Sequence, residues 1–456
     1  MNDLGNPSAA SVAEVTVEQG RLRGAAHDGV VRYRGIPFAR AARFGEPQPV
    51  PAWTGVRDAT RSGPICPQPG FPLEDVMGPA SPAVQDEDCL SLDIALPVAR
   101  ERPLPVMVWL HGGAYIIGAG SHDWYDGSAL ARDGDVIVVN VNYRLGAFGY
   151  LHWPGVSPPN LAVRDQLAAL RWIARNIGAF GGDPQRVTLF GQSAGGHAIA
   201  ALMSTHEAHG LFQRAIIQSA HLGVGFTSPR RAARLAALLE KSLGGADPRT
   251  CSAQQLLSAQ EQARMKLAGP GGLNATPAFG PIAGFEPLST ATSLVRSPSD
   301  QSPHVDLLIG TVRDELRSLF EANPNWRRLR LSHPLGARVF NGMAQLLGRS
   351  VFQIAARTLA DNHARAGGDV YTYALHWCPP GSPLGACHVI DLPFVFGGRA
   401  AWEAAPMLGG LWEEVDTVGR EMRRAWTRFA REGRTDLSER WPRHELGSAT
   451  GRVFGH

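Results

Sequence analysis

The sequence predicts an α/β fold in which helices cover both faces of a largely parallel sheet. Runs of apolar and β-branched residues recur along the chain, and stretches with helical spacing lie between them. Continuous apolar runs are typical of strands that are buried on both faces, and a regular alternation of strand and helix favours right-handed crossovers within one sheet. The predicted core strands are "PVMVWLHGG" (105–113), "DVIVVNVNYR" (135–144), "RVTLFGQS" (186–193), "RAIIQSA" (214–220), "VDLLIGT" (305–311) and "DVYTYAL" (369–375).

The clearest predicted helix is "NLAVRDQLAALRWIARNI" (160–177), in which apolar residues recur at helical spacing. Two further segments, at about 226–268 and 316–365, are mainly helical and interrupt the alternation of strand and helix. We expect them to lie over the sheet as cap or regulatory segments. A single domain over residues 1–456 accommodates all of these elements.

The composition is that of an ordinary globular protein with a sizeable core. Hydrophobic residues make up 44% of the chain, charged residues 19%, and the formal net charge is +3. The basic residues are scattered among acidic ones, so we expect no nucleic-acid partner. The N-terminal stretch "MNDLGNPSAASVAEV" lacks a leader pattern, and no window holds about 18 consecutive apolar residues. We therefore expect no membrane span and a cytoplasmic location.

Patterns for metal, phosphate and redox chemistry are weak. His206 and His209 of "HEAH" are three residues apart, whereas the zinc-protease signature needs a spacing of four, so we interpret them as surface residues. No glycine precedes Lys241 or Lys266, the two lysines of the chain, which excludes a P-loop. The five cysteines form no C-x-x-C pair, and free thiols are the expectation in a reducing compartment. We expect no cofactor and no metal.

The stretch "LFGQSAGGHA" (189–198) places Ser193 between glycines, directly after a predicted strand. The pattern Gly-x-Ser-x-Gly is weak by itself, because the chain contains 52 glycines. Its context is more specific. A strand that turns sharply into a helix leaves no room for side chains beside the turn, so Gly191 and Gly195 suit this position and the serine is exposed at the carboxyl end of the sheet. We predict that Ser193 is a nucleophile.

A serine nucleophile needs a base, a carboxylate that orients the base, and donors for the oxyanion. His388, in "GACHVIDLPFVFG", follows the last predicted core strand and is the candidate base, although a histidine in such a loop is often structural. Asp314 and Glu315 follow the preceding core strand, and their spacing does not choose between them. The turn "HGGAY" (111–115) is either an oxyanion site or a tight loop. The order of serine, acid and histidine is that of α/β-hydrolases.

With these motifs the sequence resembles the type-B carboxylesterases, which include bacterial para-nitrobenzyl esterases and the cholinesterases. The resemblance extends from about Val15 to Trp441, and it implies an α/β-hydrolase fold with helical cap insertions. The motifs that carry it are "YRGIPFA" (33–39), "EDCLSLDI" (87–94), "HGGAY" (111–115), "NYRLGAFGYL" (142–151), "NIGAFGGDPQRVTLFGQSAGG" (176–196), "IGTVRDE" (309–315) and "CHVIDLPFVFG" (387–397).

The resemblance also assigns a role to each candidate residue and prefers Glu315 over Asp314 as the acid. An imidazole between a serine and a carboxylate can accept the serine proton, and backbone N–H groups stabilise the oxyanion that follows. The roles it implies are Ser193 as nucleophile, Glu315 as acid, His388 as base, and the backbone N–H groups of Gly113, Ala114 and Ala194 as oxyanion donors.

The sequence departs from the family pattern in two places near the serine. Gln192 stands where the family usually has glutamate, and we expect its neutral amide to tune stabilisation of the His388 imidazolium rather than to inactivate the site. Ala114 replaces the glycine of many relatives but keeps its N–H, a variant that the resemblance links to bulky alcohols. Cys66 and Cys89 match a pair that forms a disulfide in secreted members, and the sequence leaves this pairing open.

Together these roles predict a single catalytic domain that acts on small-molecule carboxylic esters of apolar or bulky alcohols through an acyl-enzyme on Ser193. An acyltransferase or cyclase and a carbamate or amide hydrolase are alternatives with the same triad. A non-catalytic scaffold is disfavoured because all three triad candidates are present. We expect a monomer or a homodimer. The residues expected to line an apolar pocket are Tyr115, Ile116, Ile117, Trp124, Gln192, Phe279 and Phe394.

Overall fold

The computed structural model describes residues 11–268, 276–288, 305–433, 441–448 and 451–455. A twelve-stranded sheet runs through this part of the chain. Its strands are β1 (Ser11–Val17), β2 (Gly20–His27), β3 (Val30–Pro37), β4 (Val56–Asp58), β5 (Ser91–Pro97), β6 (Leu104–Leu110), β7 (Ile137–Val141), β8 (Gly182–Gln192), β9 (Arg214–Gln218), β10 (Asp306–Val312), β11 (Val370–Leu375) and β12 (Arg452–Phe454).

The strand order is β1-β2-β3-β5-β7-β6-β8-β9-β10-β11-β12, and β4 pairs with β2 outside this path. From β7 to β12 every neighbouring pair is parallel, whereas the path from β1 through β5 to β7 is antiparallel. The six predicted core strands are β6 to β11. The predicted α/β fold with a largely parallel sheet is therefore confirmed.

Helices pack on both faces of this sheet. Longer helices alternate with the core strands, as the sequence predicts for 160–177. The helices are α1 (Glu74–Met77), α2 (Ser128–Gly134), α3 (Gly146–Tyr150), α4 (Leu161–Asn176), α5 (Ala194–Met203), α6 (Pro229–Leu243), α7 (Ala253–Ala268), α8 (Arg317–Glu321), α9 (Pro324–Ser332), α10 (Pro334–Gly348), α11 (Ala355–Arg365), α12 (Asp391–Phe396), α13 (Arg399–Trp402) and α14 (Trp412–Glu432).

Shorter helical turns complete the described elements. A π-helical turn at Arg349–Ile354 joins α10 to α11. The 3-10 turns are Asp123–Tyr125, Ile177–Phe180, His206–Ala208, Leu222–Val224 and Pro406–Leu408. Within the described ranges, each helix is too short or too polar to cross a bilayer.

The central strand β6 shows how the two layers form. Side chains of a strand alternate between the two faces of a sheet. Val106 and Val108 accordingly belong to the hydrophobic cluster that includes α4 and α5, whereas Met107 and Trp109 belong to the cluster that includes α12 and α14. All four are 0% exposed. A strand that is buried on both faces has the continuous apolar sequence from which it was predicted.

The two predicted cap segments are helical. Segment 226–268 contains α6 and α7, and the Gln260 side chain of α7 accepts a hydrogen bond from the N–H of Ala147 at 2.7 Å. Segment 316–365 contains α8 to α11 and has a hydrophobic cluster of its own. The buried members of this cluster are Leu316, Phe320, Trp326, Phe340, Ala344, Val351 and Phe352. That either segment regulates access, and that residues 1–456 form one domain, stay predictions.

Candidate active site

Ser193 occupies the sharp turn between β8 and α5. Its backbone has φ 56° and ψ −121°, a strained conformation for a residue other than glycine. The Ser193 N–H donates to the carbonyl of Gln218 at the end of β9, at 2.9 Å. A side chain on Gly195 would overlap the carbonyl oxygen of Leu110 at the end of β6. The turn is therefore packed against two neighbouring strands, and the serine is partly exposed at the carboxyl end of the sheet.

Three predicted side chains meet at this turn. Ser193 Oγ lies 2.8 Å from His388 Nε2, and His388 Nδ1 lies 2.6 Å from Glu315 Oε2. In this arrangement the serine hydroxyl donates to Nε2, and the Nδ1–H donates to the carboxylate. His388 is 2% exposed and Glu315 is 1% exposed. Such a chain of hydrogen bonds allows the serine proton to be transferred to the imidazole.

The loop that carries Glu315 is aligned with the loop that carries His388 by Asp314. The N–H of Asp314 donates to the carbonyl of Ala386 at 2.8 Å, and the N–H of Ala386 donates to the Asp314 carboxylate at 3.0 Å. This carboxylate also pairs with Arg313 at 2.9 Å and with Arg317 at 3.3 Å. Asp314 thus faces arginines and a backbone N–H, while the adjacent side chain faces the imidazole.

The predicted oxyanion turn has an unusual backbone. Gly113, Ala114 and Tyr115 have φ values of 114°, 52° and 65°. Among the described residues, the N–H groups of Gly113 and Ala114 meet no hydrogen-bond acceptor. The turn lies beside Ser193, because a Cβ on Gly112 would be 3.2 Å from Ser193 Cβ. Free N–H groups beside a serine hydroxyl can bind an oxyanion.

Ala194 is the third predicted donor, and it begins α5. The N–H groups of the first helical turn have no acceptor within the helix, and the helix dipole favours negative charge at this end. The geometry thus places its N–H directly after the serine, in the position that the sequence predicts. Its role as a donor stays a prediction.

Two stacked and buried rings lie next to the predicted oxyanion turn. The rings of His111 and Tyr143 are stacked with centroids 4.3 Å apart, and the Tyr143 hydroxyl donates to the His111 carbonyl at 2.6 Å. His111 Nδ1 lies 2.8 Å from the carbonyl oxygen of Gly112. Burial lowers the pKa of His111 to about 3, so its ring is neutral at neutral pH and adds no charge to the site.

Gln192, the residue before Ser193, contacts the candidate base His388. Its Nε2 lies 3.3 Å from His388 Nε2, and the side chain is 2% exposed. The amide therefore reaches the imidazole but brings no charge to it. The expectation that a neutral group at this position tunes the site is consistent with this contact and is not tested by it.

The predicted pocket residues are mostly packed against other side chains. Trp124 lies against Trp402, with ring centroids 5.9 Å apart, and Phe394 lies against Trp377 at 5.3 Å, on the side of the sheet covered by α14. Contact of any of these residues with a substrate stays a prediction. Of the other predicted pocket residues, Tyr115 and Phe279 belong to the hydrophobic cluster on the opposite face of the sheet, and Ile116 packs against that cluster. Ile117 is also buried.

An aromatic contact to His388 was not predicted from the sequence. Phe352, in the π-helical turn, lies 5.3 Å from the His388 ring between centroids. The neighbouring Gln353 amide donates to the carbonyl of Arg313 at 3.1 Å. The segment 316–365 therefore contacts both His388 and the loop that precedes Glu315. A short break in helical regularity, such as a π-turn, often marks a functional site, but this sequence shows no pattern that predicts one.

A second buried carboxylate, Asp391, lies three residues after His388 at the start of α12 and was not predicted from the sequence. Asp391 is 0% exposed and accepts a hydrogen bond from Gln218 Nε2 at 2.8 Å. Gln218 Oε1 in turn accepts from the indole N–H of Trp426 at 3.1 Å. Burial, with a smaller contribution from the charge of Glu315, raises the pKa of Asp391 to about 6, against the opposing effects of Gln218 and His388.

This raised pKa gives a testable dependence of stability on pH. The unfolded carboxyl ionises near pH 4, whereas the folded one holds its proton until about pH 6, so the buried group increasingly destabilises the fold as pH rises through this window. Asp391→Asn is expected to increase the free energy of unfolding, by about 1 kcal/mol more at pH 8 than at pH 5. Urea denaturation at both pH values measures this difference.

The control for this prediction is an exposed carboxylate. Asp75 has a side chain that is 92% exposed, so Asp75→Asn is expected to change the unfolding free energy by no more than a few tenths of a kcal/mol at either pH. An equal effect of Asp391→Asn at pH 5 and pH 8 would contradict the buried, partly protonated state of this carboxyl.

Other residue types considered for chemistry are placed away from this site. Cys66 and Cys89 are both buried free thiols, and the N–H of Leu145 donates to Cys66 Sγ at 3.2 Å. His206 and His209 contact each other, with Nδ1 atoms 3.1 Å apart. No group of three or more potential metal ligands occurs within the described ranges.

Comparison with known proteins places this geometry in a family. The model of the Carboxylesterase family matches residues 11–329 and 330–453. A probable N-octanoylanthranilate hydrolase of Rhodococcus erythropolis is 40% identical over 94% of this chain and 95% of its own length. The para-nitrobenzyl esterase of Bacillus subtilis is 36% identical over 94% of this chain and 92% of its own length.

Solved structures lead to the same family. A carboxylesterase of Geobacillus stearothermophilus, whose crystal structure was determined at pH 6.2, superimposes with a TM-score of 0.82 and is 32% identical, over 97% of this chain and 96% of that chain. The predicted family resemblance and the predicted α/β-hydrolase fold are confirmed. The chain belongs to the Carboxylesterase family and is a carboxylic ester hydrolase.

Proposed function

We propose that the enzyme hydrolyses carboxylic esters through an acyl-enzyme on Ser193, with His388 as general base and Glu315 as the carboxylate that orients it. The observation that carries this proposal is the continuous chain of hydrogen bonds from Ser193 Oγ to His388 Nε2 at 2.8 Å and from His388 Nδ1 to Glu315 Oε2 at 2.6 Å. The histidine and the carboxylate are buried and the serine is partly exposed, the arrangement that activates a serine.

In the first half of the reaction, Ser193 Oγ attacks the ester carbonyl while His388 Nε2 takes the hydroxyl proton. The resulting oxyanion is bound by the N–H groups of Gly113, Ala114 and Ala194. The imidazolium then gives its proton to the alkoxide oxygen as the C–O bond breaks. The alcohol leaves, and the acyl group remains on the serine.

In the second half, water takes the place of the alcohol. His388 accepts a proton from the water, which attacks the acyl carbonyl through a second tetrahedral intermediate in the same oxyanion site. The imidazolium returns the proton to Ser193 Oγ as the bond between Oγ and the acyl carbon breaks, and the carboxylic acid is released. The Glu315 carboxylate stabilises the imidazolium at both stages.

The substrates we propose are small esters of apolar or bulky alcohols. Phe352 presents an aromatic face beside His388, and Phe226 is a partly buried apolar neighbour of α5. Ala114 has a larger side chain than the glycine of many relatives but keeps its backbone N–H, so this position can still donate a hydrogen bond to the oxyanion. Apolar surroundings with a few directed polar groups are typical of small-molecule sites.

Labelling with a fluorophosphonate tests the proposed nucleophile. One equivalent is expected to attach to the peptide that contains Ser193, with parallel loss of para-nitrophenyl butyrate hydrolysis. Ser204→Ala, at the end of the same helix, is the matched control and should label normally, whereas Ser193→Ala should not label. An adduct on another residue, or hydrolysis that survives full labelling, would refute the proposal.

A second candidate function is hydrolysis of an N-acyl bond, which the 40% identical relative favours because it is named as a hydrolase of N-octanoylanthranilate. The same residues serve, with His388 protonating an amine in place of an alcohol. Comparison of kcat/KM for N-octanoylanthranilate and para-nitrophenyl octanoate distinguishes the two. A larger value for the N-acyl compound would replace the ester assignment.

A further inference from the structure

The residue after the oxyanion donors, Tyr115, is held in a backbone conformation that side chains avoid. Ala114 and Tyr115 have φ values of 52° and 65° in succession. Left-handed conformations are rare for residues other than glycine and persist only where surrounding contacts impose them. Something in the structure must therefore hold this turn in place.

The contacts of Tyr115 show what holds it. Its carbonyl accepts a hydrogen bond from the N–H of Gly146 at 2.7 Å, and its hydroxyl lies 2.6 Å from His197 Nδ1. His197 belongs to α5, one turn after Ser193, and its own N–H donates to the Ser193 carbonyl at 2.9 Å. The oxyanion turn and the nucleophile are thus joined by one side-chain hydrogen bond.

We propose that Tyr115 and His197 are a positioning pair, which fixes the N–H groups of the oxyanion turn relative to Ser193. This inference rests on the proposed function, because it assigns those N–H groups to the transition state. Neither side chain needs to touch the substrate. Each acts through the placement of the backbone beside it.

The surroundings of the pair make its geometry rigid. His197 contacts two rings, those of His221, stacked at 4.5 Å between centroids, and Phe226, edge-on at 5.3 Å. Tyr150 packs against Tyr115 at 4.7 Å. His197 and Tyr115 are 2% and 1% exposed. Aromatic neighbours of this kind confine both rings, so the hydrogen bond has one available geometry.

The charge states of the pair do not change over the working range of pH. Burial lowers the pKa of His197 to about 4 and raises the pKa of Tyr115 well above its ordinary value. The phenol therefore keeps its proton, and it forms its hydrogen bond with a neutral imidazole. The neighbouring His221 is also neutral, because burial and the adjacent imidazoles lower its pKa. The bond consequently persists wherever the enzyme is active.

Loss of this bond should affect the transition state more than the bound substrate. The full negative charge on the carbonyl oxygen exists only after attack, so displaced N–H groups lower kcat with little change in KM. Tyr115→Phe removes only the hydroxyl. We expect about a tenfold lower kcat for para-nitrophenyl butyrate, a KM within about twofold, and an unchanged shape of the pH profile.

A transition-state analogue and a matched control sharpen this test. An aliphatic trifluoromethyl ketone, which forms an oxyanion with the serine, is expected to bind about tenfold more weakly to Tyr115→Phe. Tyr150→Phe makes the same chemical change in the neighbouring buried ring and is expected to leave kcat within about twofold of wild type. A kcat for Tyr115→Phe as high as that of Tyr150→Phe would overturn the proposal.

Rescue at the histidine provides a second, independent test. His197→Asn places an amide oxygen near the position of Nδ1 and is expected to recover most of the kcat that His197→Ala loses. If Tyr115→Phe folds poorly, His197→Asn and His197→Ala test the positioning role instead. Equal kcat values for these two variants would overturn it. Wild-type enzyme that hydrolyses no ester and takes no fluorophosphonate would instead refute the proposed function itself.

Discussion

Glu315→Gln is expected to reduce kcat for para-nitrophenyl butyrate by about 10⁴-fold, with KM changed far less. The carboxylate lies 2.6 Å from His388 Nδ1 and is fully buried. In the proposed mechanism it fixes the His388 tautomer and stabilises the imidazolium. A glutamine has no charge, and its amide donor opposes the Nδ1–H. The imidazole is then driven to the tautomer with its proton on Nε2, which cannot accept the proton of Ser193.

The neighbouring carboxylate supplies the matched control. Asp314→Asn keeps an oxygen that can accept from the N–H of Ala386, and it removes only the pairs with Arg313 and Arg317. Its kcat is expected to stay within about tenfold of wild type. If the two variants lost activity to the same degree, Glu315 would not be the orienting acid. Steady-state kinetics, with the melting temperature of each variant, make this comparison.

The parallel half of the sheet was predictable, because strands buried on both faces have continuous apolar sequences. The antiparallel part of the sheet, formed by β1, β2, β3 and β5, was not predicted. In β2 and β3 buried residues are mixed with more exposed ones, and such patterns are easily taken for loops. A turn signal was present at Asp28 and Gly29, which join β2 to β3 with φ values of 49° and 73°. Asp-Gly with two positive φ values is a typical hairpin connection.

The residues of the candidate triad could be proposed from chain order, whereas the choice of acid required either a family resemblance or coordinates. Asp314 and Glu315 are adjacent, and only the pairing of Asp314 with Ala386 determines which side chain faces the histidine. The spacing of residues within the loop that carries Glu315 does not show how this loop pairs with the loop that carries His388. The same limit applies to the bond between Tyr115 and His197, whose partners are 82 residues apart.

The predicted pocket illustrates a different limit. Aromatic residues near a catalytic motif are attractive candidates, yet Phe394 and Trp124 pack into the core beneath α14. An apolar side chain suits a core and a pocket equally, so its type does not distinguish the two. Phe352, which does lie beside His388, is far from every catalytic motif in the sequence, and only the path of the helical segment brings it there.

Gly195→Ala is expected to be the most destabilising single substitution at the nucleophile turn. The added Cβ would overlap the carbonyl oxygen of Leu110 and approach that of His111 at 2.7 Å. Both obstacles are backbone atoms at the carboxyl end of the central strand β6, so neither can rotate away. We expect a loss of 4 kcal/mol or more in the free energy of unfolding and little soluble protein.

Gly178→Ala is the control, because a Cβ at Gly178 meets no atom within 4 Å, and it is expected to change stability by less than about 1 kcal/mol. Urea denaturation of both variants measures the difference. If Gly195→Ala had the same free energy of unfolding as the wild type, α5 would have to be able to move away from β6. Ser193 and the N–H of Ala194 would then move with the helix. A stable variant with normal esterase activity would therefore contradict the close packing of α5 against β6 that places Ser193 at the turn.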